Sequence, residues 1–384
     1  MKDKTQLRAD GELALVADIR RRFTKMLPEL PEELILGIGD DAAVLRIGGR
    51  DVLFTTDVMV EGVHFDMAFA TPFQVGHKLV TVNVSDIYAM AGRPAYMLLT
   101  MSIPAHRATV SSDLPATVRS DLPATVRSDL INMSGAGGSG FVDEFLDGVA
   151  DALSLYNVEL IGGDVTSSQG GISVSATVIG FADAPVLRKG AAPGDRLYVT
   201  GNLGDSACGL HLLQRINRPV VIERQETINS PLPWQVMGPL LHRHLMPVVS
   251  APVTGVRPNA MMDVSDGLSI DLRRLCTESG VGARVYETSL PRSVEMIEAA
   301  TFLGIDPTML SLCGGEDYQY LFTSPEPVSG SWCIGEITDG GLFFIDSDNK
   351  QRELVRCGYE HFTSDCKEWD RSIPSKCKER KQNQ

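Results

Sequence analysis

The sequence predicts a protein of two domains that mixes helices and strands. Three observations carry that expectation. First, the chain has 384 residues with 43% hydrophobic and 22% charged, an ordinary globular composition and enough length for two cores. Second, short apolar runs of strand length alternate with longer segments of helical period. Third, an Ala-Pro-Gly-Asp turn at 192–195 follows the run ending at Phe181 and opens a new strand. That sets a boundary near residue 183, with one domain at 1–183 and a second at 184–362.

The elements follow in order. Residues 11–27 read as an amphipathic helix with Leu15, Val16, Ile19, Phe23 and Met26 on one side. Leu34–Leu36 and Val52–Phe54 have strand character. Residues 72–91 read as a helix ending near Gly92, and Tyr96–Ile103 as a strand stopped by Pro104. Residues 108–130 are three near-copies of one octad, ATVSSDLP, ATVRSDLP and ATVRSDL. A period of eight is too short for a solenoid repeat. With the Gly/Ser tract Ser134–Gly140, the stretch 106–140 reads as an inserted, solvent-exposed loop. A helix is expected at 141–155, with strands at 158–161 and 172–181. The second half mixes helices (205–215, 266–279) with strands (196–200, 282–287, 317–323, 332–337). The polar, lysine-rich 363–384 reads as a tail.

Composition also excludes. A net charge of −14 argues against a nucleic-acid binder. No apolar run approaches the ~20 residues of a membrane span, and the start Met1-Lys-Asp-Lys carries no secretory signal. Seven cysteines are scattered at 208, 276, 313, 333, 357, 366 and 377. Without a Cys-x-x-Cys pair they suggest a reducing, cytoplasmic setting and give no zinc signal.

Two glycine strings match a dinucleotide fingerprint by pattern alone, Gly37-Ile-Gly39-Asp-Asp-Ala42 and Gly135-Ala-Gly137-Gly-Ser-Gly140. Neither has the strand–turn–helix context that the chemistry needs. The first puts two aspartates where a pyrophosphate would sit. No P-loop and no protein-kinase motif set is present.

The informative feature is a series of carboxylates at the ends of apolar runs. They are Asp40 and Asp41, Asp57, Asp86, Asp164, Asp263 and Asp266, and Glu316 and Asp317. Aspartate is depleted in strands, and an ionised carboxylate beside a core is costly unless paired or metal-bound. Each has a plain structural explanation: Asp266 could cap the following helix, and Asp40 and Asp164 could sit in turns. Asp86 resists that explanation, because Val75, Leu79, Val82 and Asp86 share one helical face. Acids gathered without bases repel one another unless divalent cations lie among them. Oxygen-only ligands favour magnesium, manganese or calcium. Magnesium in turn shares its shell with substrate phosphates, so this pattern points to a nucleotide or polyphosphate held through metal.

In this order, the strings GIGDDAAVL, TTDVMVEGVHF, VNVSDIYAMAGRPAY, LIGGDVTSS, GDRLYVTGNLGDSACGL, DVSDGLSIDL, GGEDYQYLF and GYEHF resemble the thiamine-monophosphate kinase family. That family belongs to the superfamily of aminoimidazole ribonucleotide synthetase and selenophosphate synthetase. The resemblance covers roughly 11–104 and 141–362. It implies an α/β N-terminal domain whose sheet pairs across a homodimer, an α+β C-terminal domain, and an active site between them. It implies ATP as co-substrate, several Mg2+ ions, and thiamine monophosphate as acceptor. Asp41, Thr55, Thr56, Asp57, Asp86, Asp164, Asp263 and Asp266 match metal ligands. Gly163, Asp164, Arg188 and Ser265 match nucleotide contacts. His64, Glu316 and Tyr359 match thiamine-phosphate contacts, and Asp40 is left as the structural member of its pair. The residues alone leave alternatives open: Arg188 as a turn cation, His64 as a core histidine, Tyr359 as ordinary packing. They equally leave open a superfamily ligase or a non-catalytic magnesium–nucleotide module. The 106–140 insertion and the tail depart from the family pattern without touching a motif.

Overall fold

The computed structural model describes residues 7–24, 31–108, 140–222, 228, 230–252 and 255–361. The octad repeat from residue 109 onward and the tail beyond 361 lie outside the described residues.

The first half builds one six-stranded sheet. Its strands are β1 (Leu34–Leu36), β2 (Ala43–Ile47), β3 (Arg50–Val60), β4 (Arg93–Pro104), β5 (Glu159–Ser168) and β6 (Ser173–Ala182), in the order β1-β2-β3-β6-β4-β5. All pairs are antiparallel except β4–β5, which is parallel. A parallel pair needs a crossover, and helix α3 (Phe141–Tyr156) supplies it. Helix α2 (Pro72–Ala89) opens with a capping box, Thr71 with Gln74, and Pro72 in its first turn. Residues 74–85 of α2 are all buried, so this helix is enclosed on every side. It meets α3 backbone to backbone. A Cβ at Gly76 would lie 2.1 Å from the Phe145 carbonyl oxygen, and one at Gly148 would lie 1.9 Å from that of Phe73.

The other sheet has seven strands in the order β13-β12-β9-β11-β7-β10-β8. These are β7 (Arg196–Val199), β8 (Ala260–Asp263), β9 (Gly282–Tyr286), β10 (Tyr320–Ser324), β11 (Trp332–Thr338), β12 (Leu342–Ile345) and β13 (Gln351–Glu353). Helix α6 (Leu268–Ser279) packs on this sheet. Helices α4 (Asp205–Ile216), α5 (Trp234–Leu245) and α7 (Val294–Leu303) instead contribute to the same apolar cluster as α2 and α3. The large core therefore crosses the sequence boundary, while β7–β11, α6 and α8 (Pro307–Cys313) form a smaller one.

Three expectations need correction. The apolar side of helix α1 (Leu7–Thr24) is not buried among the described residues: Val16, Ile19 and Phe23 are exposed there. Asp164 does not end a strand, because β5 runs on to Ser168. Cys313 and Cys357 are joined in a disulfide, which a reading of scattered free thiols does not anticipate.

Candidate active site

The carboxylates converge where β3, α2 and β8 meet. Oxygens of Asp41, Asp86 and Asp263 all lie within 4.8 Å of one another. Asp41 follows the turn before β2, Asp86 comes from the last turns of α2, and Asp263 ends β8. Three neighbouring positions of α2 tie the junction together. Asn83 Oδ1 accepts from the Asp57 amide (3.0 Å), the Ser85 hydroxyl donates to Asp263 (2.7 Å), and the Thr55 hydroxyl of β3 donates to Asp86 (2.5 Å).

The electrostatics fit a cation site. Burial is the main cause raising Asp86 well above the usual carboxylate range, with Asp57, Asp263 and Asp41 adding repulsion. Burial and then Asp41 raise Asp263 likewise. Burial, followed by Asp266 and Asp41, pushes Asp57 up to about 6. Asp41 keeps one buried oxygen, Oδ2, without a hydrogen-bond partner, an unsatisfied acceptor that a cation would fill. Asp40 is turned elsewhere: it accepts from the backbone amides of Arg188 (3.0 Å) and Asp41 (3.1 Å).

Other expected ligands are dispersed by the pleat. Along β3, Thr55 is buried and Thr56 exposed. Successive side chains leave opposite faces, so the Thr56 hydroxyl stands away from Asp57 and donates to the Ala176 carbonyl (3.0 Å). Asp164 pairs with Thr100 on β4. The cross-sheet row runs Asp57, Ala176, Leu99, Gly163, three strand spacings or about 14 Å. Gly163 itself is required there, since a Cβ would lie 1.7 Å from the Leu99 carbonyl oxygen. Within one chain, then, Asp41, Asp57, Asp86, Asp263 and Asp266 gather, while Thr56, Gly163 and Asp164 do not.

Arg188 does not project freely. Its guanidinium pairs with Asp41, and Arg274 pairs with Asp266 (2.5 Å) and Asp271 (2.8 Å). The cap of α6 is inverted from expectation. Asp266 does not cap it; Asp271 Oδ2 accepts from the amides of Asp266 and Gly267, each at 3.0 Å.

The remaining predicted residues form a second cluster against the first. Backbone bonds set the register: Glu316 N donates to Ser265 O (2.7 Å), Tyr318 N to Val264 O (3.0 Å) and Tyr359 N to Asp266 O (2.9 Å). The His64 ring lies 6.5 Å from that of Tyr359 and 5.2 Å from that of His361. Glu316 bonds Lys78 Nζ at 2.8 Å and His244 Nδ1 at 3.2 Å. The disulfide joins the residue before Gly314-Gly315-Glu316 to the residue before Gly358-Tyr359.

The sequence reading missed Lys78, Asn83, Ser85, His244, Asp271 and Arg274. For the first three a signal existed, because polar residues recur through α2 although its length is apolar enough to be enclosed. His244 offered none, being one of two histidines, with His242, on a separate helix.

Comparison with known proteins supplies the kinship. Residues 39–182 match the AIR synthase related protein, N-terminal domain, and 192–354 its C-terminal domain. A thiamine-monophosphate kinase of Aquifex aeolicus is 33% identical over 334 residues, 85% of this chain and 92% of that protein. The one of Escherichia coli K12 is 31% identical over 382 residues, 93% and 99% respectively. The solved structure of AaThiL complexed with AMPPCP and TMP superposes with a TM-score of 0.70 at 30% identity, covering 94% of this chain and 99% of that one. On these grounds the chain belongs to the thiamine-monophosphate kinase family, in the AIR synthase related fold.

Proposed function

We propose that the chain transfers the γ-phosphoryl group of ATP directly to the phosphate of thiamine monophosphate, giving thiamine diphosphate and ADP. One observation supports this above the others: the carboxylate cluster lies against His64, Glu316 and Tyr359, joined through the Ser265 and Asp266 carbonyls. Relatives with this name share the full two-domain span. The acceptor oxygen belongs to a phosphate that is anionic at neutral pH, so it needs no proton removed and the aspartates serve no general base role. Repulsion between two phosphates is the barrier to overcome. Magnesium, when bound, supplies the positive charge that draws donor and acceptor into line.

The donor set suits that metal. It is all oxygen, it holds an unsatisfied buried lone pair on Asp41, and its crowded charges lack cations of their own apart from Arg188 and Arg274. Asp41, Asp57, Asp86 and Asp263 would hold the ions, with Thr55 oriented by Asp86 and Asp266 at a further position. Metal uptake would leave Arg188 free to turn from Asp41 to a nucleotide phosphate, with Ser265 beside it.

A homodimer completes this reading. The sheet face away from α2 is open, with Val58, Tyr96 and Leu98 exposed on it. Strand β5 is exposed along nearly its whole length. Thr56 and Asp164 stand on that same face, where a second copy would give them neighbours. Domains of 1–183 and 184–362 follow the two sheets. A reaction that uses ATP would belong in the cytoplasm, where the Cys313–Cys357 bond would be unusual.

Among the described residues no single helix is long and apolar enough to cross a membrane.

The test is ADP release with thiamine monophosphate against a panel of other phosphate acceptors. Release specific to thiamine monophosphate is expected. ATP binding without ADP release would favour a binding module, and release dependent on a formylglycinamidine substrate would favour a ligase. Sedimentation at micromolar concentration should show a dimer, and a monomer there would remove the second-copy argument.

A further inference from the structure

Glu316 is held in an unusual way. Its backbone is left-handed (φ 64°), as is that of Tyr318 (φ 49°). Such geometry in a residue other than glycine is strained and persists only where the surroundings enforce it. The surroundings here are specific. Lys78 comes from the enclosed helix α2, is only 4% exposed, and places its ammonium 2.8 Å from Oε1. His244 comes from α5, is also 4% exposed, and places Nδ1 3.2 Å from Oε2. The Ser206 hydroxyl of α4 lies 3.1 Å from the same nitrogen. Two helices thus converge on one carboxylate, with Lys78 against one oxygen and His244 against the other, and Ser206 of a third helix holds the His244 ring.

A lysine in the middle of an enclosed helix is expensive to bury without a partner. Its chain could have been apolar, as its neighbours Leu79 and Val80 are. Packing therefore does not account for it, whereas fixing the charge and direction of Glu316 does.

We propose that Lys78 and His244 are positioning residues for Glu316: they hold it as a carboxylate in one orientation, so that it receives the amino-bearing, cationic thiamine moiety of the acceptor. This rests on the reading of the acceptor given above. Each Glu316 oxygen has a further lone pair after its protein bond. Those lone pairs suit an N–H donor or a nearby positive charge, and would repel a phosphate. Selectivity for the acceptor over other phosphate compounds would then depend on two residues that need not touch it. Burial alone would protonate Glu316, and the Lys78 ammonium opposes it, so its carboxyl lies below the ordinary range, while His244, lowered to about 3 by its own burial, stands beside it as a neutral imidazole. Lys78, His244 and His64 are the charged or titratable groups that hold it there, and Tyr318 also faces it.

The experiment uses the full chain with ATP, magnesium and thiamine monophosphate. In Lys78→Met the KM for thiamine monophosphate should rise about tenfold or more, with kcat within about threefold and the KM for ATP unchanged. That KM should also become pH-dependent, falling as pH rises, because an unpaired buried Glu316 must be ionised by base. Lys78→Arg should restore much of the loss by keeping the cation. The double variant Lys78→Met with Glu316→Gln should be no worse than Glu316→Gln alone. Losses that add in full, or a fall in kcat with KM unchanged, would overturn the proposal and give Lys78 a role apart from Glu316. If Lys78→Met does not fold, Lys78→Gln, which also removes the cation but keeps a polar end, carries the same comparison with the same outcomes. Failure of the wild-type chain to release ADP with thiamine monophosphate is a separate result, and overturns the acceptor assignment instead.

Discussion

Two groups of acids lie side by side and are treated in opposite ways. In the first, Asp41, Asp57, Asp86 and Asp263 crowd together, and burial with mutual repulsion raises Asp57, Asp86 and Asp263. In the second, Glu316 is partly enclosed but is lowered, because the Lys78 ammonium stands against it. The same residue chemistry therefore yields a site short of positive charge and a site already supplied with it. The first is built to be completed by cations, the second to present a finished anion. They are joined by short backbone bonds at Ser265 and Asp266, so a phosphate held by one can end in a group read by the other.

The strongest challenge to that contrast is Asp57→Asn. Loss of one ligand from the metal-hungry group should lower turnover by about 10³-fold or more, with the fold kept. Turnover near wild type at limiting magnesium would break the comparison. Calorimetric titration with Mg2+ should show weakened binding in the same variant.

The next effect is on stability. Asp57 is raised to about 6 and Asp40, by burial and then Asp41, to about 7. A raised carboxyl binds its proton more tightly folded than unfolded. Its favourable contribution is thus present at low pH and lost as pH climbs through the folded value. Without metal, thermal stability should fall between about pH 4 and pH 7, and excess Mg2+ should recover it at the upper end. A metal-free profile that rises over that range would mean the cluster is not repulsive.

Cys357→Ser probes the second group. Losing the bond between Cys313 and Cys357 should lower stability by about 2–4 kcal/mol, read by thermal denaturation. It should also raise the KM for thiamine monophosphate a few-fold by loosening Tyr359, leaving that for ATP unchanged. A shift in the ATP parameter instead would mean the two groups are not separable. The smallest effect is expected far from both: deleting 108–130 should leave turnover within about threefold. Loss of folding on that deletion would make the repeat structural.

Much of the fold was open to a reader of the chain. Helix α2, strands β3, β4 and β6, and helix α3 announce themselves by period, by Pro72 and Pro104, and by a polar-to-apolar alternation. Most of the aspartates did too, since a carboxylate closing an apolar run needs explanation. Strands β2, β8, β12 and β13 and helices α5, α7 and α8 did not stand out. They are short, and their burial depends on neighbours distant in sequence. Helix α1 misled in the other direction, having an apolar stripe that nothing among the described residues covers.

By itself, then, the sequence determined the oxygen-rich, base-poor character of the site and the kinship of the chain, because both are written in residue type and order. The tertiary structure decided which acids act together. The pleat of β3 turned Thr56 from Asp57, and the position of β5 held Asp164 three strands away. Helices α2 and α5, 150 residues or more apart, brought Lys78 and His244 to Glu316. Charge on a side chain is local information, but whether that charge is raised, neutralised or aimed depends on dielectric and partners, which exist only once the chain has packed.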